Sequence, residues 1–299
     1  MLKIPSLWVP SIQIGLVTSL KNNIMNKPFT FENLNIVIPK RKSNSHKGIN
    51  GRVLVIAGSN GLGGAGIMAS EASLYSGAGL VSLYTHESNV KASLVRNPEV
   101  MTLGISEFFQ ISEKFNVILY GPGMQKDKWS NKMLEHLHNL PKESKLIIDA
   151  GGLQHIKDQN RTISNEIILT PHPGEASNLL GISISEIQKN REETAKIISE
   201  KFNASCVILK GNKTVIYLNQ SKEIYICENG GPELSTGGTG DVLSGVIAAL
   251  LGQNLSIHEA SLLGVAVHAK AGEIYANKYG EIGLNATELI PIIRKLLNK

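Results

Sequence analysis

Short apolar runs of strand length recur along the chain, and helical or loop segments separate them. The runs are 52–57, 80–84, 100–103, 117–120, 146–149, 167–170 and 207–209. Such alternation is typical of an α/β fold in which a mainly parallel central sheet carries helices on both faces. Two further runs, 214–218 and 223–227, are joined by a turn and predict a small hairpin at one edge of the sheet.

The 299 residues show no internal repeat and no linker rich in proline, glycine or serine. We therefore predict a single domain over residues 29–299, preceded by an N-terminal extension of unknown role over residues 1–28. The extension has no small-residue cleavage signal, and no stretch reaches the ~18 apolar residues of a membrane-spanning helix. These features predict a cytoplasmic protein with no membrane partner.

The net charge of +5 is spread along the chain, with one tight basic cluster at 40–42 and only 5% aromatic residues. A nucleic-acid-binding face needs a basic stripe interleaved with aromatic side chains. We therefore predict no nucleic-acid partner and expect a small anionic ligand. Cys206 and Cys227 lie in apolar, strand-like surroundings, which indicates reduced core residues rather than a disulfide.

A glycine-rich loop at 235–241 runs directly into an apolar helical segment at 242–251. Glycines let successive backbone N–H groups turn toward one point, and the first turn of the helix adds the positive end of its dipole. The loop is therefore a candidate anion cradle formed by Gly237, Gly238, Thr239 and Gly240, with Asp241 at its mouth. The alternative is that Asp241 is only a helix N-cap.

Polar and glycine clusters follow several of the predicted strands, where ligands collect in open parallel sheets. The glycine-rich turn at 58–66 and the pair Gly121 and Gly123 suit either close approach to a ligand or plain turns. Asp149 ends an apolar strand, where a carboxylate is costly unless it is paired or functional, although it could also cap a helix.

Two other strand ends carry charged groups. Prolines on both sides of His172 suit holding its side chain toward a ligand, with a structural histidine as the alternative. Glu175 could orient a metal-bound water or favour a helix dipole. Residues Lys210, Gly211, Asn212, Lys213 and Thr214 fit a phosphate or nucleotide contact, and a hairpin turn is the alternative.

Taken in order, these motifs resemble the NAD(P)H-hydrate dehydratase family, a branch of the ribokinase-like fold. The motifs are His46-Lys47-Gly48, Gly58-Ser59, 76–81, Gly121-Pro122-Gly123, 169–175, Leu209-Lys210-Gly211 and 236–243. The resemblance covers about residues 29–297. The glycine loop specifies the superfamily, whereas the Pro-His-Pro-Gly-Glu segment and the His-Lys-Gly lead-in specify the branch.

The resemblance implies a metabolite-repair enzyme that dehydrates the C6 hydrate of NADH or NADPH, using ADP or ATP with Mg²⁺. Carried over to this chain, Ala65, Gly123, His172 and Asp241 would contact the hydrated nicotinamide nucleotide. The segment from Lys210 to Thr214, with Gly240, would contact the adenine nucleotide. The family also implies a homo-oligomer, a tetramer, and leads us to expect the companion epimerase activity on a separate chain.

Three positions depart from the family pattern. Gly151 and Gln154 stand where the family often has an acid and an asparagine, and Glu233 lies before the glycine loop where a small residue is common. The first two put a metal or substrate contact in doubt, and Glu233 could alter how the loop closes. A nucleotide-binding regulator without catalysis is therefore one alternative function, and a small-molecule kinase for a vitamin precursor or sugar is the other.

The chemistry of the resemblance is consistent with the cradle. Water leaves poorly and phosphate leaves well, so phosphorylation of the C6 hydroxyl would let the ring nitrogen expel phosphate. Asp241 would take the proton from the attacking hydroxyl, and the loop amides would stabilise the transferring phosphoryl group. The helix dipole should keep Asp241 ionised and thereby make it a weaker base.

Overall fold

The computed structural model describes residues 26–105, 111, 114–137, 140–157, 163 and 165–299. Residues 1–25 of the predicted extension lie outside these ranges, so the boundary of the extension stays a prediction. The described strands form one sheet. In chain order they are Asn26–Phe29 (β1), Arg52–Ile56 (β2), Leu80–Thr85 (β3), Met101–Gly104 (β4), Val117–Tyr120 (β5), Lys145–Ile148 (β6), Ile167–Leu169 (β7), Cys206–Leu209 (β8), Val215–Leu218 (β9) and Glu223–Cys227 (β10).

The α-helices connect these strands and close the chain. They are Gly63–Tyr75 (α1), Val90–Arg96 (α2), Lys128–Leu137 (α3), Gly151–Lys157 (α4), Pro173–Leu180 (α5), Ile184–Lys189 (α6), Arg191–Phe202 (α7), Thr239–Gly252 (α8), Ile257–Tyr279 (α9) and Leu289–Leu297 (α10). Each predicted apolar run is a strand of the structure, and the bounds differ by a residue or two.

The strand order is β1-β10-β9-β8-β7-β6-β5-β2-β3-β4. Strands β2 to β8 pair in parallel, so their carboxyl ends all lie along one edge. The chain builds from β2 toward β4 in one direction and from β5 toward β8 in the other, which makes the β2–β5 pair the point where the strand order reverses. Ligands of open α/β sheets bind in the crevice at such a point.

One end of the sheet departs from the parallel pattern. Strands β8, β9 and β10 pair antiparallel, and β1 adds to β10 in parallel as the outermost strand. The predicted mainly parallel sheet is confirmed, with the hairpin next to β1 rather than outermost. The sequence gives little sign of β1 because Phe29 is its single buried residue.

Two hydrophobic clusters cover the two faces of the sheet. On β2, Val53 and Val55 belong to one cluster, whereas Leu54 and Ile56 belong to the other, as the alternation of strand side chains requires. Helices α1, α8, α9 and α10 pack in the first cluster, and α3 to α7 pack in the second. Helices on both faces are thus confirmed.

Helix α8 is buried along almost its whole length, because α1 and α9 pack beside it. Gly245 lies where α8 meets α1, and a Cβ there would be 2.2 Å from the carbonyl oxygen of Ala69. The Oγ of Ser73 donates to the carbonyl oxygen of Gly245 at 3.0 Å, which ties the two backbones together. The close approach of these helices therefore requires glycine at this position.

We expect Gly245→Ala to lower the free energy of unfolding by about 1–3 kcal/mol, because an added methyl overpacks the α1–α8 contact. The measurement is urea unfolding followed by circular dichroism. Gly64→Ala is the matched control, since a Cβ at Gly64 meets nothing within 4 Å. The control should be neutral or slightly stabilising, and equal stability of the two variants would contradict the packing argument.

Both cysteines are buried in the core, Cys206 on β8 and Cys227 on β10, and both are free thiols. Burial raises the pKa of each thiol to about 12. They are therefore inert core residues, in agreement with the prediction. No helix in the described ranges is both long and apolar enough to cross a membrane.

Candidate active site

Charged side chains from three neighbouring strand ends meet at the carboxyl edge of the sheet. Asp149 follows β6, Glu175 lies in the first turn of α5 after β7, and Lys210 follows β8. The Nζ of Lys210 lies 2.7 Å from Oδ1 of Asp149 and 3.8 Å from Oε2 of Glu175. The side chain of Asp149 is 1% exposed, so this ion pair compensates a buried carboxylate. We call these three residues the Lys210 cluster.

Asp241 faces the Lys210 cluster from the first turn of α8. The carboxylates of Asp149 and Glu175 repel its charge, whereas Lys210 attracts it. Burial makes the largest contribution and, with this repulsion, raises the pKa of Asp241 to about 7. The predicted weakening of Asp241 as a base by the helix dipole is therefore wrong, because burial and the neighbouring carboxylates outweigh the dipole.

The same surroundings act on the other members of the cluster. Burial is the largest influence on Glu175 and raises its pKa, although Lys210 opposes the rise. Burial is the largest single influence on Lys210 and disfavours its charge. The charges of the three carboxylates and the hydrogen bond to Asp149 together outweigh it, so the pKa of Lys210 is raised. Lys210 therefore stays protonated near neutral pH. The site holds one fixed positive charge among three carboxyl groups.

The glycine loop leads into α8 through Gly238, whose φ of +94° favours glycine. Gly238, not Asp241, is the N-cap residue, so the N-cap alternative for Asp241 is wrong. The Oγ1 of Thr239 donates to the carbonyl oxygens of Leu234 and Thr236, both at 3.0 Å, and closes the loop on itself. A Cβ at Gly240 would be 3.3 Å from Nζ of Lys210, which places the cradle against the cluster.

His172 is the N-cap residue of α5. Its Nδ1 accepts from the backbone N–H of Gly174 at 3.0 Å and of Glu175 at 3.3 Å. In return, Oε2 of Glu175 accepts from the backbone N–H of His172 at 2.7 Å. The imidazole is nonetheless 55% exposed, with Nε2 3.5 Å from Oε1 of Glu175. The histidine thus has a structural role and still presents Nε2 at the crevice.

The loops after β2 and β5 are joined at the point where the strand order reverses. The backbone N–H of Ser59 donates to the carbonyl oxygen of Gly123 at 2.9 Å. Gly123 has a φ of +63°, and a Cβ there would be 2.9 Å from Cβ of Ala65. Ala65 and Gly123, which the resemblance assigns to one ligand, are therefore adjacent.

Asn89 holds this loop, and no sequence motif indicated it. Its Nδ2 donates to the carbonyl oxygen of Gly58 at 2.8 Å and contacts Oγ1 of Thr85 at 3.0 Å. A Cβ at Gly63 would be 2.5 Å from the Asn89 side chain, so the first turn of α1 lies directly against it. Its role could not be predicted from the sequence, because an asparagine after a strand usually marks only a turn.

The predicted nucleotide segment from Lys210 to Thr214 connects β8 to β9. Leu209 pairs with Val215, so the segment is also a hairpin loop, as the alternative interpretation held. Gly211, Asn212 and Lys213 are exposed, with φ of +136° at Gly211 and +55° at Lys213. A loop role and a nucleotide role are compatible, since an exposed hairpin loop can present its N–H groups to an anion.

Two of the three departures have a packing explanation. A Cβ at Gly151 would lie 2.2 Å from the carbonyl oxygen of Met124, so this chain has no room for a larger side chain there. Glu233 is buried, its Oε1 accepts from the backbone N–H of Gly231 at 3.0 Å, and a Cβ at Gly272 would be 2.6 Å from the same oxygen. Glu233 thus packs the start of the glycine loop onto α9.

A divalent metal fits the chemistry of this site only as a partner of a nucleotide. No three His, Cys, Asp or Glu residues in the described part of the chain are arranged to hold a metal by themselves. Mg²⁺ commonly keeps several waters and takes one or two carboxylates together with substrate phosphates. Asp149 and Glu175 supply such oxygen donors beside the cradle.

Comparison with known proteins supplies a context for this geometry. Residues 53–295 match the family model described as NAD(P)H-hydrate dehydratase. The chain is 39% identical over 269 residues to the bifunctional NAD(P)H-hydrate repair enzyme of Coxiella burnetii, a match covering 88% of this chain and 53% of the relative. It thus spans about half the length of that relative.

Other relatives match over most of their length. The ADP-dependent (S)-NAD(P)H-hydrate dehydratase of Staphylococcus aureus is 34% identical over 82% of this chain and 88% of its own. The crystal structure of ADP/ATP-dependent NAD(P)H-hydrate dehydratase from Bacillus subtilis, co-crystallised with ATP and Mg²⁺, superposes with a TM-score of 0.82, 29% identity and coverage of 92% and 99%. Arabidopsis thaliana ribokinase shares the fold, with a TM-score of 0.51, 14% identity and coverage of 82% and 98%.

Proposed function

The chain belongs to the NAD(P)H-hydrate dehydratase family, and we propose that it uses ADP or ATP to dehydrate the C6 hydrate of NADH or NADPH. The proposal rests on the position and the pKa of Asp241. This residue lies at the start of the cradle helix beside Lys210, and its pKa is raised to about 7. A base with a pKa near the working pH is suited to deprotonating a hydroxyl as it attacks a phosphoryl group.

In the proposed reaction the C6 hydroxyl oxygen attacks the terminal phosphorus of the nucleotide, and Asp241 takes the proton. The bond from that phosphorus to the bridging oxygen breaks, which releases AMP from ADP or ADP from ATP. The ring nitrogen then donates its lone pair as the C6–O bond breaks, and phosphate leaves with the bonding electrons. Loss of a proton from C5 completes the dihydropyridine ring.

Along the carboxyl edge of the sheet, the residues proposed to bind the hydrate lie apart from those proposed to bind the nucleotide. Ala65, in the first turn of α1, and Gly123, in the loop after β5, lie near the β2–β5 pair. The Lys210–Thr214 loop lies at β8 and β9. This separation supports a hydrate site on one side and a nucleotide site on the other, with His172 presenting Nε2 between them. The amides at Gly237, Gly238, Thr239 and Gly240 would stabilise negative charge on the transferring group.

Mg²⁺ would be held by Glu175 and Asp149 together with nucleotide phosphates, and it would neutralise charge that develops on the phosphoryl group. The role of Lys210 does not depend on the metal. Its protonated amine forms an ion pair with Asp149 and lies against Gly240, so it brings a positive charge to the start of the cradle helix.

The test uses chemically prepared NADH hydrate and NADPH hydrate, each with ADP and with ATP. We expect the absorbance of the reduced nicotinamide to return, with stoichiometric release of inorganic phosphate. Accumulation of a phosphorylated product without NADH would favour a small-molecule kinase, and ADP binding without turnover would favour a regulator. The same panel decides between ADP and ATP. A homo-oligomer, an epimerase on a separate chain and a cytoplasmic location stay predictions.

A further inference from the structure

Arg191 lies beneath the loop that is proposed to bind the nucleotide, although it precedes Lys210 by 19 residues. It is the first residue of α7, and its Nη2 donates to the carbonyl oxygen of Leu209 at 2.9 Å and of Lys210 at 3.3 Å. Its Nη1 donates to Oε1 of Gln188 at 3.0 Å. The guanidinium therefore holds the base of the loop by two consecutive carbonyl groups.

These contacts set the direction in which the loop presents its N–H groups. In a planar trans peptide the C=O and N–H point in opposite directions. Because the carbonyl oxygen of Lys210 accepts from Arg191, the N–H of Gly211 points away from the guanidinium. The N–H groups of Gly211, Asn212 and Lys213 have no acceptor within the described residues, so they are available to an anion.

Glycine at position 211 makes the approach possible. A Cβ there would be 2.8 Å from Nη1 of Arg191, and the φ of +136° is one that side chains rarely adopt. The guanidinium thus contacts the backbone where any larger residue would displace it. Gly211 and Arg191 therefore depend on each other at the base of the loop.

The guanidinium of Arg191 also has no close ion-pair partner. No carboxylate of the described residues lies within 4.0 Å of its guanidinium, whereas Lys210 is already paired with Asp149 and Glu175. Its Nε is buried and has no hydrogen-bond partner among the described residues. Glu192 attracts the charge of Arg191 from a greater distance. A polyphosphate at this loop therefore meets a positive charge that is not held in a close ion pair.

We propose that Arg191 is a positioning residue of the nucleotide site: it orients the Lys210–Gly211 peptide so that the Gly211 N–H faces a nucleoside polyphosphate. The proposal rests on the function proposed above, in which the Lys210–Thr214 loop binds ADP or ATP. Arg191 acts through the loop and through its charge rather than on the reacting atoms.

The experiment measures the Kd of ADP by calorimetry and the kcat and KM for NADH hydrate, in the full chain and in Arg191→Met and Arg191→Lys. Charge-assisted hydrogen bonds correspond to roughly tenfold or more in affinity. We expect Arg191→Met to raise the Kd of ADP about tenfold and to change the KM for hydrate less than twofold. Arg191→Lys keeps the charge without the paired donors, so it should recover part of the affinity.

Arg96→Met is the control for loss of an arginine elsewhere in the chain, because Arg96 is exposed, pairs with Glu71 and lies away from the loop. It should leave the Kd of ADP unchanged. The inference is overturned if folded Arg191→Met binds ADP within twofold of the natural chain. If Arg191→Met does not fold, unchanged ADP affinity in Arg191→Lys overturns it instead. Failure of the natural chain to bind either ADP or ATP would contradict the proposed function itself.

Discussion

Asp241→Asn should lower kcat for NAD(P)H hydrate by about 10²- to 10⁴-fold, the range that a positioned general base contributes. Asparagine keeps the shape of the side chain and removes the proton acceptor. The measurement is single-turnover dehydration with saturating hydrate and nucleotide, so that binding does not limit the rate. Near-normal turnover with both ligands bound would remove Asp241 from the role of base.

The stability of the same variant separates lost chemistry from lost folding. The pKa of Asp241 is raised from 3.8 to about 7 in the folded protein, so its carboxylate costs stability once it ionises. The folded state keeps a proton that the unfolded state has lost, and stability falls as the pH rises from about 4 to about 7. Above that window the natural chain carries the full cost.

Because the folded and unfolded pKa values of Asp241 differ by about three units, we expect Asp241→Asn to be more stable than the natural chain at pH 8, by on the order of 4 kcal/mol, and similar to it at pH 4. Urea unfolding at the two pH values measures the difference. A variant that is inactive and more stable at pH 8 assigns its loss of rate to chemistry. No gain at pH 8 would mean that the burial and repulsion around Asp241 cost less than its raised pKa implies.

The sequence predicted those parts of the fold and site that are local in the chain. Apolar runs marked β2, and glycine spacing marked the start of α8, because both depend on residues next to one another. Strand β1 was not predicted, because it joins the sheet through backbone pairing with β10 and buries only Phe29.

The properties that depend on distant residues were not predictable. The pair between Lys210 and Asp149 joins side chains 61 residues apart, and nothing in either local sequence names the other. The raised pKa of Asp241 follows first from burial and then from the charge of Asp149. Neither is visible in the residues next to Asp241, so its basicity was misjudged from the helix dipole alone. No sequence motif indicated Arg191, because its partners in the loop are backbone carbonyl groups, which every residue carries.

Lys210→Met should lower the free energy of unfolding strongly. It leaves the buried carboxylate of Asp149 without its partner, and breaking a buried pair in this way costs about 3–5 kcal/mol. Urea unfolding at pH 7 measures the loss. Lys213→Met is the control, since Lys213 is exposed on the same loop and forms no ion pair within the described residues. Adding Asp149→Asn to Lys210→Met should restore much of the stability.

The pH dependence of Lys210→Met tests how the cluster sets the base. The attraction of Lys210 lowers the pKa of Asp241, so removing the amine should raise that pKa above its value of about 7. Since Asp241 must be ionised to accept a proton, kcat/KM should rise with pH through this pKa. The acid limb of the profile should therefore move to higher pH in Lys210→Met.

Combining Asp149→Asn with Lys210→Met should return the acid limb toward neutral pH, because one repelling carboxylate is removed. An acid limb that stays in place in both variants would show that Asp241 does not titrate in the profile.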